Sequence, residues 1–409
     1  MTASAPIPPL VPLSAPSPPI MLTETGPGIV HALTQGQLAA LLAMPDTVRI
    51  TPAAGGRWRL TGNQKVGLIR IGHGTDALEL HIQPKLPISH LLFLLTYTPH
   101  DPWRPDPVAF ADSTDDLVPA LAALLARTAR RTLDTGVLYG YRTTEDDLPL
   151  IRGRIRTTDQ MRRVGLPLPV AVRYDDHTPD IPENQILLTA LRKMESLPGA
   201  APDTRLLLRH LAARLANVVP LAPGAPLPAW APTRLNTRYR PALRLAELLL
   251  ADRTLQPQGP AGHRGDGFLL DMPRVFEKFL ETALGEHLRS RCVRCTAQEA
   301  HHRLDHANLV RLRPDLVLYR SGRIHTVVDA KYKELRTTAP PTEHMYQLLS
   351  YCTALALPTG HLVYAGGTST ETVHEIRGTG VTIHEHTLDL TQAPNALLAS
   401  VATLAAKLA

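Results

Sequence analysis

RPDLVLYRSGRIHTVVDAKYK, residues 313–333, is the stretch that decides how this chain is read. Two runs rich in Val, Ile, Leu and Tyr flank Ser321-Gly322, with Asp315 near one end and Asp329-Ala330-Lys331 near the other. Such runs around a Ser-Gly pair signal a β-hairpin, because a tight turn between twisted strands needs backbone with positive φ. If those two residues are the loop, Arg320 faces Arg323 and Asp315 faces Val328. A three-residue loop shifts the register by one and sets Asp315 against Asp329. In either register the two carboxylates lie within one residue of each other across the ladder, where opposed Cβ atoms stand about 4.5–5.5 Å apart. Alternation along the strand puts Asp329, Lys331 and Lys333 on one face and Ala330 and Tyr332 on the other.

Two carboxylates and an amine are the groups that metal-assisted phosphodiester hydrolysis requires. Carboxylate oxygens suit Mg²⁺, or Mn²⁺ in its place. Such an ion lowers the pKa of a bound water and neutralises transition-state charge. An ammonium group stabilises the same charge or orients the attacking water. The plainer alternative is a surface hairpin whose acids and lysines face solvent, but that would not ordinarily gather both acids and a lysine at one end.

Two flanking segments add candidates. In MPRVFEKFLETALGEHL, residues 272–288, Phe276, Phe279, Leu280 and Ala283 recur at helical spacing and leave Glu277 beside the apolar stripe, within reach of a metal. In residues 340–357, Gln347 and Tyr351 are four apart and share a helical face, placed to brace DNA or the lysine. Taken singly, each also reads as an ordinary solvated helix residue.

The order Glu277, Pro314-Asp315, Asp329-Ala330-Lys331, Gln347 and Tyr351 resembles the PD-(D/E)xK nuclease superfamily, in the subgroup whose last motif is a glutamine and a tyrosine on a helix. Together with FLLDMPRVFEKFL (268–280), QPKL (83–86), LIRGRI (150–155) and PENQILLTAL (182–191), the chain is similar to the McrC family from about Val48 onward. That resemblance implies the nuclease subunit of a modification-dependent restriction system. It implies metal ligation by Asp315, Asp329 and Glu277, a catalytic Lys331, and a supporting Gln347–Tyr351 pair. It also implies an McrB-like AAA+ GTPase as oligomeric partner, which binds the GTP, drives movement and recognises 5-methylcytosine in double-stranded DNA.

Composition sets wider bounds. With 409 residues and 44% hydrophobic content, the chain has room for two or three domains with ordinary cores. Aromatic residues make up 4%, too few for broad stacking platforms on single-stranded nucleic acid. The 43 basic against 37 acidic side chains leave +6, which permits DNA binding without requiring it. Cys292, Cys295 and Cys352 are too few for a disulfide framework or a four-cysteine iron–sulfur cluster and fit a reducing cytoplasm. Cys292 and Cys295 do form a Cys-x-x-Cys followed by His301 and His302, so a zinc site there is conceivable. No membrane-spanning run or secretion signal is visible. A phosphate-cradling GxxxxGK[ST] loop is also absent, so nucleotide hydrolysis is expected to come from a partner.

The expected fold class is a multidomain α/β protein. A Pro-rich disordered tail over 1–22 precedes a small antiparallel β-domain over 23–100, built from VRIT, RWRL, VGLIRI and LELHI. A mixed, largely helical middle region over 101–255 serves partner docking, and a restriction-endonuclease-like α/β domain occupies 256–409. Pro-rich 99–107 and residues 256–267 read as linkers. Arg152, Arg154 and Arg156 alternate with Ile151, Gly153 and Ile155, a row of guanidinium groups suited to phosphate or an acidic surface, or merely to solvent. Two other functions compete with the nuclease subunit: an assembly factor for the GTPase with a dormant nuclease, and a stand-alone RecB-like exonuclease.

Overall fold

The computed structural model of the chain describes residues 19–72, 77–97, 116–163, 168–250, 266–335, 342–367 and 371–409. The Pro-rich 99–107 segment and most of the 256–267 linker lie outside them.

The first strand, β1 (Ile20–Thr23), begins inside the expected tail, so Ile20 to Leu22 belong to the folded structure. After β2 (Ile29–His31), helix α1 (Gln35–Leu42) is closed by a capping box in which Thr34 and Gln37 exchange side-chain and backbone hydrogen bonds. The four β-rich runs then form β3 (Val48–Ala53), β4 (Arg57–Gly62), β5 (Lys65–Ile71) and β6 (Leu78–Gln83). They divide between two sheets instead of making one antiparallel domain: β2-β4-β3 is one, while β6 and β5 join the other, in which β1 runs parallel to β6.

The middle region carries α2 (Ile88–Thr96) and α3 (Leu117–Asp134), then a twisted ribbon of β7 (Gly140–Leu148), β8 (Arg154–Ile155), the short helix α4 (Thr157–Met161) and β9 (Val170–Thr178). Helices α5 (Pro182–Ser196) and α6 (Pro202–Ala213) both open on a proline, which loses nothing where the first backbone N–H has no helical partner. Helix α7 (Arg240–Leu250) packs against α5 and α3.

Strand β10 (Asp266–Asp271) follows, and it corrects the linker reading at its C-terminal end. It pairs antiparallel with β5, Gly267 opposite Ile69 and Leu269 opposite Gly67. Both glycines have φ of +150°, and a Cβ on either would sit 2.1–2.2 Å from a carbonyl oxygen of the opposite strand. Only glycine lets the two backbones approach so closely. The chain therefore leaves the N-terminal sheet directly into α8 (Met272–Arg289), capped by the Asp271 carboxylate on the Arg274 N–H.

The last sheet comprises β11 (Val293–Ala297), β12 (Leu316–Arg320), β13 (Arg323–Lys331), β14 (Thr359–Tyr364), β15 (Glu371–Ile376) and β16 (Val381–Thr387), with α9 (Thr342–Ala354) and α10 (Pro394–Leu408). Its order is β11-β12-β13-β14-β16-β15, antiparallel at both ends and parallel from β13 through β14 to β16. Parallel strands covered on both faces need apolar residues at successive positions. Leu316, Leu318, Val328 and Val363 pack with Phe276 and Phe279 of α8 and with α10, whereas Val317, Val327 and Leu362 pack with Leu348 and Cys352 of α9. The first of these cores runs without interruption into α2, α3, α5, α6 and α7, so the middle helices and the C-terminal sheet share one apolar interior. Phe93, Tyr97 and Phe279 meet there with ring centroids 5.5–6.0 Å apart, Tyr97 edge to face on Phe279 and Phe93 tilted against both. The chain is thus a mixed α/β, multi-sheet protein.

Candidate active site

The hairpin uses both of the registers its sequence allows. Ser321 and Gly322 have φ of 49° and 81°, the left-handed pair of a two-residue turn, and Arg320 faces Arg323. The register then slips between Tyr319, opposite Ile324, and Leu318, opposite Thr326, leaving His325 as a bulge. Beyond it Leu316 faces Val328, so Asp315 stands opposite Asp329. The extra residue re-aims the strand and delivers the direct opposition that a three-residue loop would otherwise have required.

Around that opposition the side chains interlock. Asp315 Oδ2 accepts a hydrogen bond from the Ala330 N–H at 2.8 Å, and the two aspartate side chains are in hydrogen-bond contact. Lys331 Nζ lies 2.6 Å from Asp329 Oδ2 and donates to Gln347 Oε1 at 3.0 Å. Gln347 Nε2 donates to the Tyr351 hydroxyl at 2.8 Å, and that hydroxyl donates to the Arg313 carbonyl at 3.3 Å. Gln347 and Tyr351 thus brace the amine from α9. Lys333 faces outward instead and pairs with Glu343 at 3.2 Å.

Glu277 enters from α8. Its Oε2 accepts from Gln298 Nε2 at 2.9 Å, and Gln298 Oε1 accepts in turn from Arg313. Glu277, Asp315, Gln298 and Arg313 line one end of a 940 Å³ cavity whose remaining wall includes Arg274 and Lys278. Residues 277, 315, 329, 331, 347 and 351 therefore gather into one connected cluster. Gln298 and Arg313 were not singled out from the sequence. Arg313 adjoins the Pro314-Asp315 motif and could have been flagged, but nothing around Gln298 marks it.

The electrostatics are those of crowded acids. Burial, then the charges of Asp315, Asp271 and Asp329, push the Glu277 carboxyl up to about 7, against the pull of Lys331. Asp329 is raised by burial and by Asp315, and Asp315 by burial, with the Ala330 N–H and Lys331 opposing. Three carboxyls whose ionisation is costly in the protein alone are a site in need of a cation. The buried Asp329 Oδ2 also accepts no hydrogen bond of regular geometry. An oxygen-only donor set of this kind fits a hard divalent ion such as Mg²⁺ or Mn²⁺.

Two other candidates resolve differently. Cys292 is exposed and Cys295 packs toward the α8 core, while His301 and His302 turn to Glu299, so the imagined Cys-x-x-Cys zinc cage does not form. In the arginine row, Arg152 pairs with Asp176 at 2.8 Å and Arg156 with Glu145 and Asp159, all within the ribbon. Arg154 is exposed.

Residues 60–365 match the family model described as McrBC 5-methylcytosine restriction system component. Among solved structures, the chain is similar to one in the half-complex of Thermococcus gammatolerans McrB AAA+ hexamers with bound McrC. The identity is 17%, the alignment covers 96% of this chain and 100% of that one, and the TM-score is 0.54. A chain of the cryo-EM Thermococcus gammatolerans McrBC complex aligns over 66% of this chain and 88% of its own, with 18% identity and a TM-score of 0.41. No curated protein matches. The 0.54 likeness speaks for a shared fold.

Proposed function

Since the chain belongs to the McrBC 5-methylcytosine restriction family, we propose that it is the subunit that cuts DNA, by metal-dependent phosphodiester hydrolysis at Asp315, Asp329 and Lys331. One observation carries the reading: the bulged ladder sets Asp315 against Asp329 while Lys331 Nζ stands 2.6 Å from the same carboxylate. The C-terminal sheet with α8, α9 and α10 is, on this reading, a PD-(D/E)xK core.

Asp315 and Asp329, with Glu277 beside them, would hold Mg²⁺ or Mn²⁺. When bound, such an ion supplies an activated water and neutralises charge building on the phosphate. Lys331, its ammonium held between Asp329 and Gln347, would stabilise the developing negative charge and orient the nucleophile. The Gln347–Tyr351–Arg313 chain of hydrogen bonds removes rotamer freedom from the amine before substrate arrives. Arg274, Lys278 and Arg313 line the same cavity and, on this reading, would meet flanking phosphates of double-stranded DNA.

The partner on this reading is an McrB-like AAA+ GTPase that reads the methylated base and binds the GTP. Support comes from the McrC-bound McrB hexamers of Thermococcus gammatolerans and from this chain's ribbon. Along the ribbon Tyr141, Leu150, Ile151 and Met161 are 61–85% exposed among arginines, apolar side chains that a docked partner would cover. No helix among the described residues is long and apolar enough to cross a membrane.

The decisive experiment is cleavage of methylated plasmid by the reconstituted complex with Asp329→Ala or Lys331→Ala. Loss of about 10²–10³ in rate, with GTP hydrolysis by the partner still stimulated, is expected. Undiminished cutting would remove these residues from the mechanism. Absence of cutting by the unaltered complex in any metal, with stimulation intact, would favour the assembly-factor alternative.

A further inference from the structure

Past β11 the chain turns sharply. Gln298 has φ of 47°, and its side chain goes to Glu277 on the α8 side of the sheet. Glu299 goes the other way, to Tyr319, whose ring packs with the α9-side core. There Glu299 Oε1 accepts from Thr296 Oγ1 at 2.5 Å and Oε2 accepts from the Tyr319 hydroxyl at 2.6 Å. The imidazoles of His302 and His301 approach the same Oε2, their Nε2 atoms at 2.9 and 3.6 Å. The ligand atoms of the three residues all lie within 4.8 Å of one another, and the two rings lie tilted at 43° with centroids 4.0 Å apart. His302 is buried, Glu299 partly buried and His301 exposed.

Ligands of a tetrahedral ion with bonds of about 2.0–2.1 Å stand about 3.3 Å apart, so this group needs only small side-chain adjustments to close on one. Two imidazoles and a carboxylate are a donor set for a transition ion, whereas the all-carboxylate pocket of Glu277, Asp315 and Asp329 suits a hard one. The hydroxyls of Thr296 and Tyr319 already orient the carboxylate as outer-shell donors do around metal ligands.

We propose that Glu299, His301 and His302 form a second metal site, for a transition ion of the Zn²⁺ class, distinct from the carboxylate pocket. Its consequence for the rest of the molecule is mechanical. The ion ties down residues 299–302, and the neighbouring Gln298, hydrogen-bonded to Glu277 and Arg313, is thereby fixed against the edge of the carboxylate pocket.

The full chain, stripped with a chelator, is titrated with ZnCl₂ by calorimetry and with CoCl₂ by visible absorption, alongside Asp329→Asn, His301→Ala and Glu299→Gln. Expected are one equivalent of Zn²⁺ and a tetrahedral Co²⁺ band in the unaltered chain and in Asp329→Asn. In His301→Ala and Glu299→Gln, affinity should fall at least about 100-fold. His301 is exposed, so its removal leaves the fold intact. Equal Zn²⁺ uptake by the unaltered chain and His301→Ala, or no uptake by the unaltered chain, overturns the proposal. Uptake lost only in Asp329→Asn would assign the ion to the carboxylate pocket and overturn it as well.

Discussion

The Tyr332 hydroxyl donates to Oε1 of Glu24 at 3.0 Å, a buried hydrogen bond that joins the first sheet of the molecule to the residue following Lys331. Glu24 Oε1 also accepts from the Lys85 N–H at 3.1 Å, the Lys85 ammonium sits 4.3 Å above the Tyr332 ring, and Gln64 Nε2 donates to the Tyr332 carbonyl at 2.7 Å. Gln83-Pro84-Lys85-Leu86, notable in the sequence but without an assigned task, is therefore part of a latch on the end of β13. Tyr332→Phe leaves the Glu24 carboxylate buried without this donor, at a cost of about 1–3 kcal/mol. Denaturant midpoints should fall accordingly, and an unchanged midpoint would show that the latch contributes nothing.

Glu277 sets a pH signature. Burial and neighbouring acids raise its carboxyl from 4.5 to about 7. A raised pKa means that the protonated form is favoured by folding, so this contribution is fully present below pH 4.5 and is lost as pH rises through about 7. The metal-free protein should lose at most about 3 kcal/mol across that window from this group. Glu277→Gln should flatten the loss and stabilise the metal-free protein at pH 8 while weakening Mg²⁺ binding. Thermal melts with and without Mg²⁺ read both effects, and a destabilised Glu277→Gln at pH 8 would contradict them.

Three buried histidines act in the opposite sense at acid pH. Burial, then His386 and His384, lowers His361 to about 3; burial also lowers His386 and His344, each to about 4. His361 Nδ1 and His386 Nε2 are 3.1 Å apart, close enough that only one proton can be shared between them. Depressed pKa values make folding favour the neutral rings, so this stability is present above about 6.5 and is lost as pH falls toward about 4. His386→Gln should make the acid side of the stability profile shallower. An unaltered acid slope would count against the reading.

The ribbon makes the prediction about the partner. Tyr141→Ser with Met161→Ser removes two of its most exposed apolar side chains, 78% and 85% accessible, where no core is disturbed. Binding to the GTPase and stimulation of its hydrolysis should fall at least about tenfold, as loss of anchor residues at an interface does. Circular dichroism should stay the same. Full stimulation by the double variant would move the docking site elsewhere.

Much of the site's local geometry is legible in the sequence. Strand alternation and the Ser-Gly turn sufficed to bring Asp315 and Asp329 near each other, and helical spacing sufficed to pair Gln347 with Tyr351. The bulge was not legible, because His325 adds a residue inside a strand whose composition does not differ from its neighbours. Gln298 was missed because its contact with Glu277 spans 21 residues and depends on a left-handed turn at a non-glycine position. The cysteine pair misled for a related reason: β11 directs Cys295 into the core, and sequence adjacency to the histidines says nothing about that direction.

By itself the sequence determined the elements whose causes are local: the hairpin, the capped and proline-started helices, and the acid and lysine motif that alternation places on one strand face. Only the tertiary structure decided that β10 completes the N-terminal sheet through Gly67 and Gly267, each pressed against the opposite strand's backbone, that one apolar core runs from the middle helices under the C-terminal sheet, and that Glu24 reaches Tyr332. The physical reason is range. Periodicity and turn chemistry act over a few residues, whereas burial and the satisfaction of buried polar groups are settled among partners as many as 308 residues apart, and no local pattern encodes which partners those will be.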